Sequence, residues 1–308
     1  MNYFDLHCDT LYEMYERGVG FEHNGLCVDL TNAKMFGRYA RVAAIWTKSG
    51  IPDDDAYERY KNILSYAKKN LPKGAVFCTS SRDVACALED KKIPLMLAVE
   101  GANLLGGDIS RLDSLYLDGV RFLTLTWKGE SCIGGAWDED AGLCDFGRLV
   151  IKRCAELGIV VDVSHASRKS TAQTLEIADL CGAKVIATHS NSYACCAHGR
   201  NLTDDEARAI SNRGGIIGIS MTPGHLSESG SADISDIVRH VQHYLSLGLC
   251  DNICIGADFD GVVNLPRGIS DERDMIKIDG ALKAAGVDEK TREKIFWQNA
   301  ANFISSNM

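Results

Sequence analysis

Three histidines and three carboxylates, spread over 250 residues of this 308-residue chain, have the side chains that divalent-metal chemistry needs. The first two lie in Phe4-Asp5-Leu6-His7-Cys8-Asp9-Thr10. Residues two apart in a strand share a face, so His7 and Asp9 project together and Cys8 turns to the opposite side, into packing. An imidazole beside a carboxylate is half of a mixed nitrogen and oxygen site, of which zinc is the commonest case. The other half follows at wide spacing: Glu100 in Val99-Glu100-Gly101, His165 after Asp162-Val163-Ser164, His189 before Ser190, and Asp258 after Gly256-Ala257. Each stands where a short apolar run gives out. Taken singly, Glu100 could cap a helix and either histidine could bond a neighbouring serine, but recurrence at five run ends calls for a shared purpose. Six donors exceed the needs of one tetrahedral zinc, whereas two ions sharing a bridging carboxylate and a hydroxide use them fully.

The elements that must position these residues are eight short runs rich in Val, Ile, Leu and Ala: Tyr3 to Leu6, Arg41 to Trp46, Ile93 to Val99, Val120 to Thr126, Ile159 to Val163, Lys184 to Thr188, Gly215 to Ser220 and Asn252 to Gly256. They are nearly continuous rather than alternating, as parallel strands covered on both faces should be. Helical spacing separates them. Phe146, Leu149, Val150, Cys154 and Leu157 recur at three and four residues before a Gly158 stop, and Ile237, Val241, Leu245 and Leu249 repeat the pattern. Asp53-Asp54-Asp55 suits a helix start, where carboxylates favour the first turn. The expected fold is α/β, a single (β/α)8 TIM barrel over residues 1–308, whose chemistry sits at the C-terminal strand ends. A doubly wound sheet fits less well, because no Gly-x-Gly-x-x-Gly turn follows the first run. Gly134-Gly135 and the stretch from Gly224 to Gly230 are expected in mobile active-site loops.

A formal net charge of −9, without a Lys/Arg cluster, argues against nucleic acid or an anionic membrane surface as partner and favours a small molecule. No run of eighteen uncharged apolar residues and no basic leader is present, so the chain is expected to be soluble and cytoplasmic. Its twelve cysteines lack a Cys-x-x-Cys pair and read as reduced thiols, with Cys8, Cys154 and Cys254 acting as small hydrophobes.

Along nearly its whole length the chain resembles the membrane (renal) dipeptidase family of zinc peptidases, within the amidohydrolase superfamily. The matching segments are Asp5-Leu6-His7-Cys8-Asp9, Val99-Glu100-Gly101, Leu123-Thr124-Leu125-Thr126, Gly142-Leu143 with Phe146-Gly147, Asp162-Val163-Ser164-His165, His189-Ser190, Gly199-Arg200-Asn201 and Gly256-Ala257-Asp258-Phe259-Asp260-Gly261. The resemblance implies two zinc ions, with His7 and Asp9 on one, His165 and His189 on the other and Glu100 between them. It implies that a metal-bridging hydroxide attacks the peptide bond of a dipeptide, that Asp258 rather than Asp260 carries the proton, and that Arg200 contacts substrate. Asp162 and Ser164 are expected to support ligands rather than to be ligands. Where mammalian members carry a substrate-contacting histidine after Leu-Thr-Leu-Thr, this chain has Trp127, a candidate aromatic wall; His23, His198 and His225 are not selected as replacements. That departure admits an alternative, a hydrolase of N-acyl amino acids, lactams or lactones on the same scaffold, beside a non-catalytic metal-stabilised binding protein. A homodimer is an expectation from the family alone. The chain's last residues, Phe303-Ile304-Ser305-Ser306-Asn307-Met308, lack the apolar tail of lipid-anchored members.

Overall fold

The computed structural model describes residues 1–48 and 50–308. Its strands are β1 (Tyr3–Asp5), β2 (Tyr39–Trp46), β3 (Ala75–Phe77), β4 (Ile93–Glu100), β5 (Val120–Thr124), β6 (Val160–Asp162), β7 (Val185–Ile186), β8 (Ile217–Ile219) and β9 (Ile253–Ile255). They form one parallel sheet in the order β7-β6-β5-β4-β2-β1-β9-β8, with β3 paired to the start of β4. A parallel bridge between Ala187 and Ile217 joins β7 to β8. Eight strands therefore close into a (β/α)8 barrel, and each of the eight apolar runs contributes one. The remaining strand, β3, has only three residues, too few to carry a pattern in the sequence.

Strand alternation divides the apolar residues between two cores. Phe4, Leu6, Val42, Ala44, Met96, Ala98, Phe122 and Ile186 fill the barrel, and Trp297, Phe303 and Ile304 plug its N-terminal end from the last helical segment. Ala43, Ile45, Leu97, Val99 and Val161 face outward to the helical layer. Those helices follow the spacing of the sequence, except that Leu149, expected on the buried face, is exposed and Ile151 takes its place. Asp53–Lys69 opens on its three aspartates, and Asp145–Leu157 ends at Gly158, whose φ of 74° is a left-handed cap that glycine adopts without strain. Among the described residues no helix is long and apolar enough to cross a membrane. All twelve cysteines are unpaired, and Cys8 is buried in the outer core, on the side opposite to Phe4 and Leu6, because the alternation of β1 does not continue past Leu6.

One buried polar network ties the barrel wall to the loops above the site. The Arg41 guanidinium donates from Nη1 to Asp5 Oδ2 at 2.9 Å, from Nη2 to Glu272 Oε2 at 2.8 Å and from Nε to the Tyr39 hydroxyl at 2.9 Å. Asp5 Oδ1 in turn accepts from the backbone N–H of His7 at 3.2 Å and of Ala257 at 2.9 Å, which fixes the chain beside two site residues. Glu272 Oε1 accepts from the N–H of Asp29 at 3.1 Å. A single guanidinium faces two buried carboxylates, and burial pushes the Glu272 carboxyl up from 4.5 to about 7 despite the pull of Arg41 and Tyr39. A carboxyl whose folded value is raised binds its proton more tightly when folded. Its contribution to stability is therefore complete below about pH 4.5 and is lost as pH rises through about 7. Glu272→Gln, which keeps the shape but cannot ionise, should flatten the fall in thermal midpoint across this window. Parallel pH profiles for the variant and the parent would rule out Glu272 as the titrating group.

Candidate metal centre

At the C-terminal mouth of the barrel the chain brings together all six residues that stand at run ends. His7 Nε2 lies 3.6 Å from Asp9 Oδ2, 3.6 Å from Glu100 Oε1 and 3.9 Å from Asp258 Oδ1. Glu100 Oε1 also lies 2.9 Å from His165 Nε2 and 3.4 Å from His189 Nε2, and those two nitrogens are 2.9 Å apart. The cluster divides around His7 into His7, Glu100 and His189 on one side and His7, Asp9 and Asp258 on the other. His7 and Asp9 do not reach it as strand residues. β1 stops at Asp5, and Asp9 precedes the helix Thr10–Arg17, so the shared face predicted from alternation is produced instead by the turn into that helix.

The groups behind the imidazoles decide which nitrogen faces inward. His165 Nδ1 lies 2.9 Å from the Trp127 carbonyl oxygen, which can only accept, so the proton sits on Nδ1 and the Nε2 lone pair points at the cluster. Thr188 donates its hydroxyl to Asp162 Oδ2 at 2.6 Å, leaving its oxygen to accept from His189 Nδ1 at 2.8 Å. His189 Nε2 is thereby also a lone pair. Asp162 is fully engaged in this support: it takes Thr124 and Thr188 hydroxyls on Oδ2, and the N–H groups of Ser164 and Thr188 on Oδ1. Two lone pairs 2.9 Å apart repel unless a cation lies between or beside them.

Charge and burial point the same way. His7 Nε2 and Asp9 Oδ1 are buried without a hydrogen-bond partner. Burial raises the affinity of Asp9, Glu100 and Asp258 for protons, and each is raised further by a neighbouring carboxylate: Glu100 acts on Asp9, Asp162 on Glu100, and Asp9 on Asp258. Burial, with Arg200 and His7 nearby, pulls His165 and His189 well below the ordinary imidazole value. Burial also disfavours charge on His7, but Glu100, Asp9 and Asp258 outweigh it and lift it to about 10. Orphaned polar atoms, crowded carboxylates and the discharged imidazoles of His165 and His189 share one remedy, divalent cations, and the residues present fit them.

The site is held in strained backbone. His165, Asp258 and Asp260 have φ of 71°, 62° and 68°, a region where side chains cost of order 1 kcal/mol or more. At Gly261 a Cβ would stand 2.2 Å from Asp9 Oδ2 and 2.5 Å from Asp258 Oδ1, so glycine alone lets the chain turn away here. Asp260 is spent on that turn. It accepts from Thr10 Oγ1 at 2.6 Å and from the N–H groups of Cys27 at 2.7 Å and Val28 at 3.3 Å, whereas Asp258 faces His7 with one oxygen and accepts from Thr222 Oγ1 at 3.2 Å with the other.

Above the cluster opens a cavity of about 800 Å³ lined by Asp9, Glu100, His165, Arg200, Asp258, Trp127 and others. Arg200 is buried on it: Nη2 donates to the His189 carbonyl at 3.3 Å, Nε has no partner, and burial pulls the guanidinium down to about 10. Trp127 presents its ring to the cavity while its carbonyl holds His165. The backbone role is invisible to residue type. Both glycine-marked loops reach the cavity, the first through Trp137 and the second through His225, although Gly134 and Gly135 themselves pack on the backbone of 141–143. Sequence reasoning missed Thr188 and Thr222, which carry no motif, and Trp46, which ends the second apolar run and was open to the same strand-end test as the ligands.

Residues 1–306 match the family model described as membrane dipeptidase, peptidase family M19. An uncharacterized protein in the pqqA 5' region of Klebsiella pneumoniae is 31% identical over 234 residues, 72% of this chain and 85% of that one. The fold is shared with dipeptidase AC, a metallopeptidase of family M19, at a TM-score of 0.91 and 24% identity over 100% of this chain and 98% of that one. It is shared equally, at a TM-score of 0.91 and 23% identity over 100% and 99% of the two chains, with a Rhodobacter sphaeroides metallopeptidase solved with a phosphinate mimic of the dipeptide L-Ala-D-Ala.

Proposed function

The chain belongs to the membrane dipeptidase family of metal-dependent hydrolases acting on dipeptides, and from this membership we propose that it holds two divalent ions, zinc by its donor set, and cleaves dipeptides with the residues at the barrel mouth. His7 and Asp9 would hold one ion, His165 and His189 the other, and Glu100 both. The observation that carries this assignment is the approach of one carboxylate oxygen, Glu100 Oε1, to the Nε2 atoms of three imidazoles at 3.6, 2.9 and 3.4 Å. When bound, such ions supply Lewis acidity that polarises the scissile carbonyl and makes water acidic enough to attack at neutral pH.

The chain's own groups do the rest. Asp258, facing the cluster with Oδ1, takes a proton there from the attacking water and returns it to the leaving amine, while Thr222 holds Oδ2. The buried Arg200 guanidinium, with Nε unspent, receives the substrate carboxylate. Trp127 forms an apolar boundary beside the reacting bond. A cytoplasmic location accords with twelve unpaired thiols. The test is turnover of mixed L,L and L,D dipeptides and of N-acyl amino acids by one preparation whose metal content is measured. Cleavage of dipeptides at about two ions per chain is expected. Hydrolysis of N-acyl amino acids with dipeptides untouched would replace the substrate assignment, and full activity at one ion would replace the two-ion centre.

A further inference from the structure

The rim carries a second feature, an aromatic surface that runs outward from the metal cluster. Trp46 ends β2 and pairs in register with Glu100 on β4, so the indole stands at the same level of the barrel as the carboxylate central to the cluster. It is one of four rings in continuous contact. Tyr12 meets Trp46 edge to face at 4.9 Å between centroids, Trp46 meets Trp127 at 5.0 Å, and Trp127 stacks on His165 at 6.0 Å and 27°. The outer end is braced by the Arg59 guanidinium, 5.3 Å from the Tyr12 centroid. Tyr12, Trp46 and Trp127 all line the cavity. An apolar surface held in place before ligand arrives costs little to use.

Sheet order decides which part of a substrate meets this wall. Trp46, Glu100 and Trp127 follow or end β2, β4 and β5, whereas Arg200, Thr222 and Asp258 follow β7, β8 and β9 across the mouth. The other cations lining the cavity do not compete for the substrate carboxylate: Lys128 is exposed, and Arg17 is paired with Glu13 at 2.6 Å. With the carboxylate on Arg200 and the scissile carbonyl over the cluster, the N-terminal residue lies toward the rings. Among the described residues the carboxylate beside this wall that is not in the metal cluster, Glu13, is already paired with Arg17.

We propose that Tyr12, Trp46 and Trp127 form the side-chain subsite for the N-terminal residue of the dipeptide and that the enzyme selects bulky apolar or aromatic residues there, an inference resting on the dipeptidase reading above. Trp46 is its centre. The experiment compares kcat/KM for two series, X-Gly and Gly-X with X as Gly, Ala, Leu, Phe and Lys, in the zinc-loaded parent, Trp46→Ala and Trp46→Phe, with metal content measured on each. In the parent, kcat/KM should climb about tenfold to a hundredfold from Gly-Gly to Leu-Gly and Phe-Gly, the worth of burying one large side chain. Trp46→Ala should flatten that climb, mainly through KM, and Trp46→Phe should restore most of it. The slope across Gly-X should not change. Equal flattening in both series, a loss independent of side-chain size, or a parent that prefers Lys-Gly to Leu-Gly would overturn the subsite while leaving the dipeptidase reading intact. A zinc-loaded parent that cleaves no member of either series overturns that reading and the subsite with it.

Discussion

Glu100→Gln should lower kcat/KM by about a thousandfold or more, roughly 4 kcal/mol of transition-state stabilisation, and should lower the bound metal on the same sample. Glu100 Oε1 is the oxygen that approaches the nitrogens of His7, His165 and His189, which the proposal divides between two ions. A neutral amide keeps the volume but withdraws the carboxylate's charge. Stability provides an independent reading. Without cations, Glu100 is a buried acid whose carboxyl is raised by burial, so replacing it should leave the metal-free fold at least as stable as the parent. Added zinc should then raise the thermal midpoint of the parent by more than that of the variant, since only binding to the folded state stabilises it. Equal zinc-dependent shifts and equal metal content would show that Glu100 does not join two ions.

Asp258→Asn addresses the proton. Asparagine can still accept from Thr222 Oγ1, so the segment after β9 keeps its anchor, but it cannot take a proton from water. We expect kcat to fall about a hundredfold to ten-thousandfold, the usual worth of general acid-base catalysis, with metal content close to that of the parent. The metal measurement matters because Asp258 Oδ1 is only 3.9 Å from His7 Nε2. Loss of an ion together with activity would make Asp258 a ligand, and an unchanged kcat would return the proton to another group. Asp260 is poorly placed to be that group, since Thr10, Cys27 and Val28 occupy its oxygens.

Much of this was legible in the residues. Eight apolar runs became eight barrel strands because each strand is buried on both faces and so must be almost uniformly apolar, a local property that survives without knowledge of its neighbours. The six polar residues at run ends converge because parallel strands of a barrel deliver their C-terminal ends to one rim. β3 was not legible: its three residues pair only with the beginning of β4, outside the closed barrel.

The chain alone therefore pointed to the candidate set, His7, Asp9, Glu100, His165, His189 and Asp258, and to the rim on which it gathers, since both follow from residue type and strand direction. Only the tertiary structure decided what lies behind and beside those donors. That Trp127 orients His165 through its carbonyl, that Thr188 and Asp162 orient His189, that Asp260 grips the 27–28 loop and that Trp46 stands level with Glu100 depend on contacts between residues far apart in the chain. Such contacts depend on register, ring orientation and left-handed turns, and those are settled by the packing of the whole barrel, not by any one segment.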